Sequence, residues 1–375
     1  MKKSKITLLI ILINSIFVTG CWNYKEVDQF LIVTGIAVDK GTDDQYKITA
    51  EIAQISGGKD SKTTSKTVAA EGKTMFDAAR NMISLSGKRL YWSHTKVIIL
   101  SKEIAGEGVT KVTDWYTRDS ETRENVYLLI SEGASAKEIL DVEGTTEDIK
   151  SFILGEMIKN QVSLSKAPVT YVLQFDIELR TKGKATIIPA VSLKKINNKM
   201  VAQVMGSAII KNDKLLGFLN GDETKSLNFI RNKVKGGVLT EEMQTDNGPV
   251  SVSLEIFDSK TKVATVADGR EIEINLDIDT TVAIDEIGGT ESSIDEKKLI
   301  ELEQSAENTM REQIQALIRK TQSEYGADIF GFGEKLREDK AQVWKSVENN
   351  WEKVFKDLKV NVEMSVHIKN SAMLS

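Results

Sequence analysis

Apolar and polar positions divide the chain into short strands and amphipathic helices. Residues 30–40, Phe-Leu-Ile-Val-Thr-Gly-Ile-Ala-Val-Asp-Lys, are a nearly continuous apolar run, which predicts a largely buried strand. Tyr46, Ile48, Ala50 and Ile52 alternate with Lys47, Thr49 and Glu51, which predicts a half-exposed strand. Gly41-Thr-Asp-Asp44 between them is a turn, so the pair reads as a hairpin. Residues 56–67, rich in Ser, Gly, Lys and Thr, read as a mobile surface loop. Met75, Phe76, Ala79, Met82 and Ile83 share one helical face. Beyond them the pattern predicts strands over 97–100, 125–131 and 185–195. Helices are predicted over 109–116, 135–141, 147–160 and 169–181.

A second block begins near residue 200. Residues 203–211 and 214–218 flank Asn212-Asp213 and read as another hairpin. Asp222 is placed to cap a helix running to about Asn232. Residues 240–248 are charged and polar and read as a loop. Val252, Leu254 and Ile256 alternate with polar residues. Ile272 to Ile284 keeps strict period two, the mark of a long antiparallel strand. Ser293-Ile-Asp-Glu296 has the spacing of a capping box. It opens a helix with Leu299, Leu302, Ala306, Met310, Ile314 and Leu317 on one face. A last helix carries Trp344, Val347, Trp351 and Phe355, and a strand from Leu358 to Ile368 closes the chain. The expected fold class is α+β and multi-domain, with mostly antiparallel mixed sheets packed against amphipathic helices.

Composition narrows the chemistry. In 375 residues there are one cysteine and two histidines, so Cys/His metal sites, disulfide frameworks and Cys–His nucleophile pairs are nearly excluded. The formal charge of −5 argues against a nucleic-acid partner. The N-terminus changes the picture further. Three lysines within the first five residues precede an apolar run from Ile6 to Val18. That run is too short to span a bilayer and reads as a bacterial export signal. Val18-Thr19-Gly20-Cys21 resembles the lipobox of bacterial lipoproteins, which implies cleavage after Gly20 and a diacylglyceryl group on the Cys21 thiol. Removing residues 1–20 takes the formal charge to −8, so the attachment is not electrostatic. Trp22 would then sit at the headgroups, where tryptophan is favoured.

No reactive constellation emerges. His94, in Tyr91-Trp-Ser-His-Thr-Lys96, lacks a nucleophile motif and reads as a packed or turn residue. His367 falls on the polar face of the final strand. Gly331-Phe-Gly333 starts like a dinucleotide loop but lacks the third glycine and follows a helix. Asp277 and Asp279, like Glu271 and Glu273, share a strand face and read as solvated rather than as a glycosidase pair. Trp344 and Trp351, seven apart, read as core.

The residues together resemble the Ger(x)C family, the C subunits of spore germinant receptors. Gly20-Cys-Trp-Asn-Tyr-Lys-Glu26 is similar to the family's start, and Val33-Thr-Gly-Ile-Ala-Val-Asp-Lys40 follows its next motif. The block 91–96 and Trp115-x-x-Arg118-Asp-x-Glu-x-Arg123 also resemble it. So do Gly206 to Gly217 and Asp328-Ile-Phe-Gly-Phe-Gly333, with Trp344 and Asn350-Trp351. Asn23, Ala37 and Ile210 depart from the usual Asp, Gly and Phe, and the proline often found before the tryptophan at 344 is absent. Motif residues of unassigned role are Trp22, Gly35, Asp39, Lys40, His94, Arg118, Arg123, Trp344 and Trp351.

The resemblance implies three mixed α/β domains, no catalysis and no cofactor. It implies a lipoprotein on the outer face of the spore inner membrane, partnered by integral-membrane A-type and B-type subunits and needed for the response to nutrient germinants. The expected division is a signal peptide over 1–20, an N-terminal domain over 21–200 and a C-terminal domain over 201–370. Two other readings of an exported lipoprotein remain. A solute-binding protein of an ABC importer would favour repeated β-α-β units and parallel strands. A cell-wall hydrolase would need the carboxylates set aside above.

Overall fold

The structure is a computed structural model that describes residues 29–55, 63–119, 121–123, 125–142, 148–245, 248–268, 271–288 and 294–369. Its first half is built from β1 (Phe30–Lys40), β2 (Tyr46–Ile55), β3 (Thr63–Gly72), α1 (Met75–Ser86), β4 (Arg89–Tyr91) and β5 (Val97–Leu100). There follow α2 (Lys102–Glu107), α3 (Thr110–Arg118), β6 (Tyr127–Ser131), α4 (Ala136–Asp141), α5 (Lys150–Lys159) and α6 (Val172–Leu179). β7 (Thr186–Ile196), β8 (Lys199–Lys211) and β9 (Lys214–Leu219) complete a nine-stranded sheet. Its order is β3-β2-β1-β5-β6-β7-β8-β9, with β4 beside β1. The flanks pair antiparallel, whereas β1, β5, β6 and β7 run parallel.

Parallel strands buried on both faces need apolar residues at every position. Ile98 and Leu100 face a core shared with α1, α3 and α6, while Val97 and Ile99 face the opposite core with α4 and α5.

The remaining elements are α7 (Gly221–Ile230), β10 (Val238–Thr245), β11 (Gly248–Asp268), β12 (Glu271–Ile287) and α8 (Glu296–Lys320). After them come α9 (Phe332–Asp339), α10 (Ala341–Val347), α11 (Trp351–Lys356) and β13 (Lys359–Ile368). A four-stranded sheet runs β10-β11-β12-β13, antiparallel except for the β12–β13 pair. Leu302, Ala306, Met310, Ile314 and Leu317 of α8 cover one face of it. Carboxylates of α8 also close its edge. Glu307 and Glu303 accept the free N–H groups of Val366 and Ile368 on β13, at 3.0 and 2.7 Å. Capped in this way, the edge offers less to a second chain.

The α+β class is the observed one, with several local corrections. Residues 63–67, expected in a loop, belong to edge strand β3; residues 56–62 of that loop lie outside the described residues. Residues 240–245, expected in a loop, belong to β10. There the buried Glu241 accepts hydroxyl hydrogen bonds from Ser305 and Thr309 of α8, so a charge sits on the inward face of the alternation. Asn220, not Asp222, caps α7, and the Asn220 N–H donates in return to the Glu223 carboxylate. Asp295 caps α8, and Ser293 lies outside the described residues. Phe76 is 51% exposed, because the buried face of α1 is Met75, Ala78, Ala79 and Met82. The final helix is broken at 348–350 into α10 and α11. β8, which contains residue 200, pairs with β7 across the Asn197-Asn198 turn.

Candidate functional site

The motif residues fall into three clusters. Asp39, at the end of β1, is buried and aimed at the start of α4. Its two oxygens accept the N–H groups of Ala136 and Lys137 at 2.7 and 2.9 Å. Burial pushes its carboxyl above the usual aspartate range, and those N–H groups pull the other way. Lys40 is paired with Asp44 and Glu107. One strand over, the fully buried Glu51 does the same for α5. It accepts from Lys150 N at 2.7 Å, Ser151 N at 2.9 Å, and the hydroxyls of Ser65 and Thr34. Gly35 is what lets α5 come this close, since a Cβ there would lie 2.7 Å from Ser151 Cβ. Two adjacent strands thus hold two helix starts through carboxylates, satisfying donors a helix cannot satisfy itself.

The second cluster joins the segments 91–96 and 115–123. Trp92 and Trp115 meet edge to face at 5.5 Å, and the Ser93 hydroxyl donates to the carbonyl of Glu121. They border a cavity of about 300 Å³ lined by Arg80, Arg89 and Arg118. Arg118 is tied to Asp114 at 2.8 Å and Arg89 to Glu121 at 3.5 Å. Tyr116 is buried, which pushes its phenol up to about 12. His94 is exposed beside the Tyr91 ring, and Arg123 is exposed.

The third cluster is centred on a residue to which sequence reasoning gave no role. Asp328 is buried, and its Oδ1 accepts the N–H groups of Phe330, Gly331 and Phe332 at 3.0, 2.9 and 3.2 Å. Its Oδ2 accepts Gly333 N at 2.8 Å and Trp351 Nε1 at 3.2 Å. Burial raises its pKa against the pull of those donors. The glycine-rich turn that starts like a phosphate loop therefore wraps a carboxylate of its own chain.

Trp344 packs on Trp351 at 5.5 Å and over Gly183, where any Cβ would overlap the indole. Gly333 is equally constrained, since a Cβ there would lie 2.7 Å from Trp351 Nε1. The sequence held the signal for this cluster: an aspartate five residues before the second of two closely spaced glycines.

Beside it, Arg231 donates from Nε to the carbonyl of Ile329 at 2.7 Å. Burial lowers its pKa, against the opposing charges of Glu178, Asp328 and Glu334. Glu178 is also desolvated. The charges of Arg231 and Lys184 and the hydrogen bonds from Thr186 and Gln174 outweigh that and hold its carboxyl below the usual range.

Cys21, Trp22 and the cleavage position after Gly20 lie outside the described residues. The discounted groups sit as expected on exposed strand faces. His367 Nε2 is 3.4 Å from Asp279, Lys262 is 3.7 Å from Asp277, and Lys359 is 2.7 Å from Glu273. Among the described residues no three His, Cys, Asp or Glu side chains are grouped to hold a metal, and no helix is long and apolar enough to cross a membrane.

Comparison with known proteins gives these clusters a setting. Residues 23–193 match the family model of the spore germination protein N-terminal domain. Residues 205–372 match the spore germination B3/GerAC-like C-terminal model. The chain belongs to the GerAC-like spore germination family. Among relatives, spore germination protein B3 of Bacillus subtilis is 26% identical, with 94% of each chain covered. Spore germination protein A3 of the same organism is 25% identical, with 98% of each chain covered. The crystal structure of the GerBC protein has a TM-score of 0.59, at 23% identity, over 90% of this chain and 97% of that one, and so shares the fold. The segments 33–40, 91–96 and 115–123 fall within the N-terminal match and 328–351 within the C-terminal one.

Proposed function

We propose that this GerAC-like protein is a lipid-anchored, non-catalytic subunit of a spore germinant receptor, needed for the response to nutrient germinants. It would stand on the outer face of the spore inner membrane through Cys21, beside integral-membrane A-type and B-type subunits. The observation that carries this reading is the match to both family models along nearly the whole chain. The buried motif residues support it, because Asp39, Asp328, Trp344 and Trp351 bind the protein's own backbone and rings, and although Asp328 and Trp351 border a cavity of about 670 Å³, both oxygens of Asp328 are spent on N–H groups of its own chain. The proposed division is an export segment over 1–20, an N-terminal segment over 21–200 and a C-terminal segment over 201–370. It separates family segments rather than sheets, since β7 and β8 are hydrogen-bonded partners.

One observation favours the importer reading: the parallel block β1-β5-β6-β7, which a solute-binding protein would also contain. The deciding experiment captures the full chain from spore membranes in mild detergent and identifies its companions by mass spectrometry. Two membrane-embedded receptor subunits are expected. Recovery of a permease and an ATPase instead would overturn the receptor reading.

A further inference from the structure

A cavity of about 310 Å³ lies where the end of α5, the turn after it, α6 and the C-terminal end of α7 meet. Its wall carries four cationic side chains, Lys159, Arg231, Lys233 and Lys235, against one carboxylate, Glu178. Glu178 is already engaged by the Thr186 hydroxyl at 2.7 Å, by Gln174 and by Lys184. Lys159 has Glu156 at 3.3 Å. Among the described residues, no carboxylate lies within 4.0 Å of Arg231, Lys233 or Lys235, and the charges of Glu178, Asp328 and Glu334 reach Arg231 only at longer range. Arg231 Nη2 is buried with no acceptor, and Gln161 on the same wall leaves Oε1 buried with no donor. The rest of the wall is mixed: Val162, Pro168, Val169 and Ile187 give it an apolar side, with Val169 39% exposed, and Ser165, Thr170, Gln174 and Asn228 a polar one.

A cavity of this size holds a small molecule, and convergent polar groups on an apolar wall are how such sites fix orientation. A buried donor lacking an acceptor is rare in folded proteins, and an anion would supply the one that Arg231 Nη2 lacks. We propose that this cavity binds a small organic monocarboxylate. Its apolar body lies against Pro168, Val169 and Ile187, and its carboxylate is turned towards Arg231, Lys233 and Lys235. This inference is independent of the receptor reading. The competing role for these cations is to complement the α7 dipole, which is negative at its C-terminal end.

The test uses the full chain in detergent, with 4-fluorobenzoate as the probe and 4-fluorobenzamide as its neutral counterpart, both followed by 19F line broadening. Saturable broadening of the carboxylate alone is expected. It should weaken at least about tenfold in the surface double variant Lys233→Gln/Lys235→Gln. It should vanish in Val169→Trp, which fills the cavity, with circular dichroism unchanged in both. Equal binding of the amide would overturn the proposal. So would no saturable broadening at millimolar probe, or a double variant that loses thermal stability but keeps its affinity.

Discussion

Replacing Asp328 by asparagine changes one buried atom and separates two effects of opposite sign. The amide keeps one oxygen for the N–H groups of Phe330, Gly331 and Phe332. Its NH₂ then confronts two donors, Gly333 N and Trp351 Nε1. With the amide flipped, three donors are stranded instead of two. Each stranded buried donor costs about 1–3 kcal/mol, so the penalty is about 2–6 kcal/mol. Relief from removing a buried charge acts the other way, since burial raises the Asp328 pKa. Breaking a buried, hydrogen-bonded charge usually leaves a net loss. The expected outcome is destabilisation of about 3 kcal/mol, concentrated in 328–356.

Hydrogen exchange with mass spectrometry reads this locally. Peptides covering the Asp328 turn, α10 and α11 should lose about two orders of magnitude of protection, while β5 and β6 keep theirs. Trp351→Phe supplies a control, because it removes one donor without stranding its partner's other bonds. In the Asp328→Asn background it should cost about 1 kcal/mol less than in the wild type. Protection in Asp328→Asn equal to or above wild type would refute the reasoning, and would mean that relief of the buried charge outweighs the stranded donors.

Three further outcomes are expected. Cys21→Ala should leave the exported protein in the soluble fraction, and retention in membranes would contradict lipid anchoring. Gly183→Ala places a Cβ at φ +78 and into the Trp344 ring, so unfolding should be easier by about 3 kcal/mol, with partial recovery in Gly183→Ala/Trp344→Leu. Glu178 has its folded pKa depressed below 4.5, so its contribution to stability is present above that pH and is lost as the solution is acidified through the folded value. Urea midpoints measured down an acid series should therefore fall more steeply in the wild type than in Glu178→Gln.

Legibility followed how each element meets its neighbours. The alternation of β12 and the helical face of α8 were readable because one side packs and the other is wet. β3 was not, because an edge strand of Thr, Ser and Lys buries little and is held by its ladder with β2. β10 was hidden by Glu241, whose partners on α8 are more than sixty residues away. The parallel centre of the first sheet was hidden because apolar runs such as Val97–Leu100 state burial, not direction. In the site, the motif positions were visible but their roles were not. Asp39 and Asp328 act through backbone N–H groups, which every sequence carries.

The β7–β8 hairpin has a mechanical consequence. The two segments matched by the family models meet inside it, joined by a ladder from Thr186↔Ile210 to Ile196↔Lys199. A linker at that place would act as a pivot. A ladder of this length resists rotation of one half against the other, because such a rotation would break bonds along the hairpin. A tug on one end of the molecule is therefore delivered to the other as displacement of a stiff body rather than absorbed as rotation about a joint.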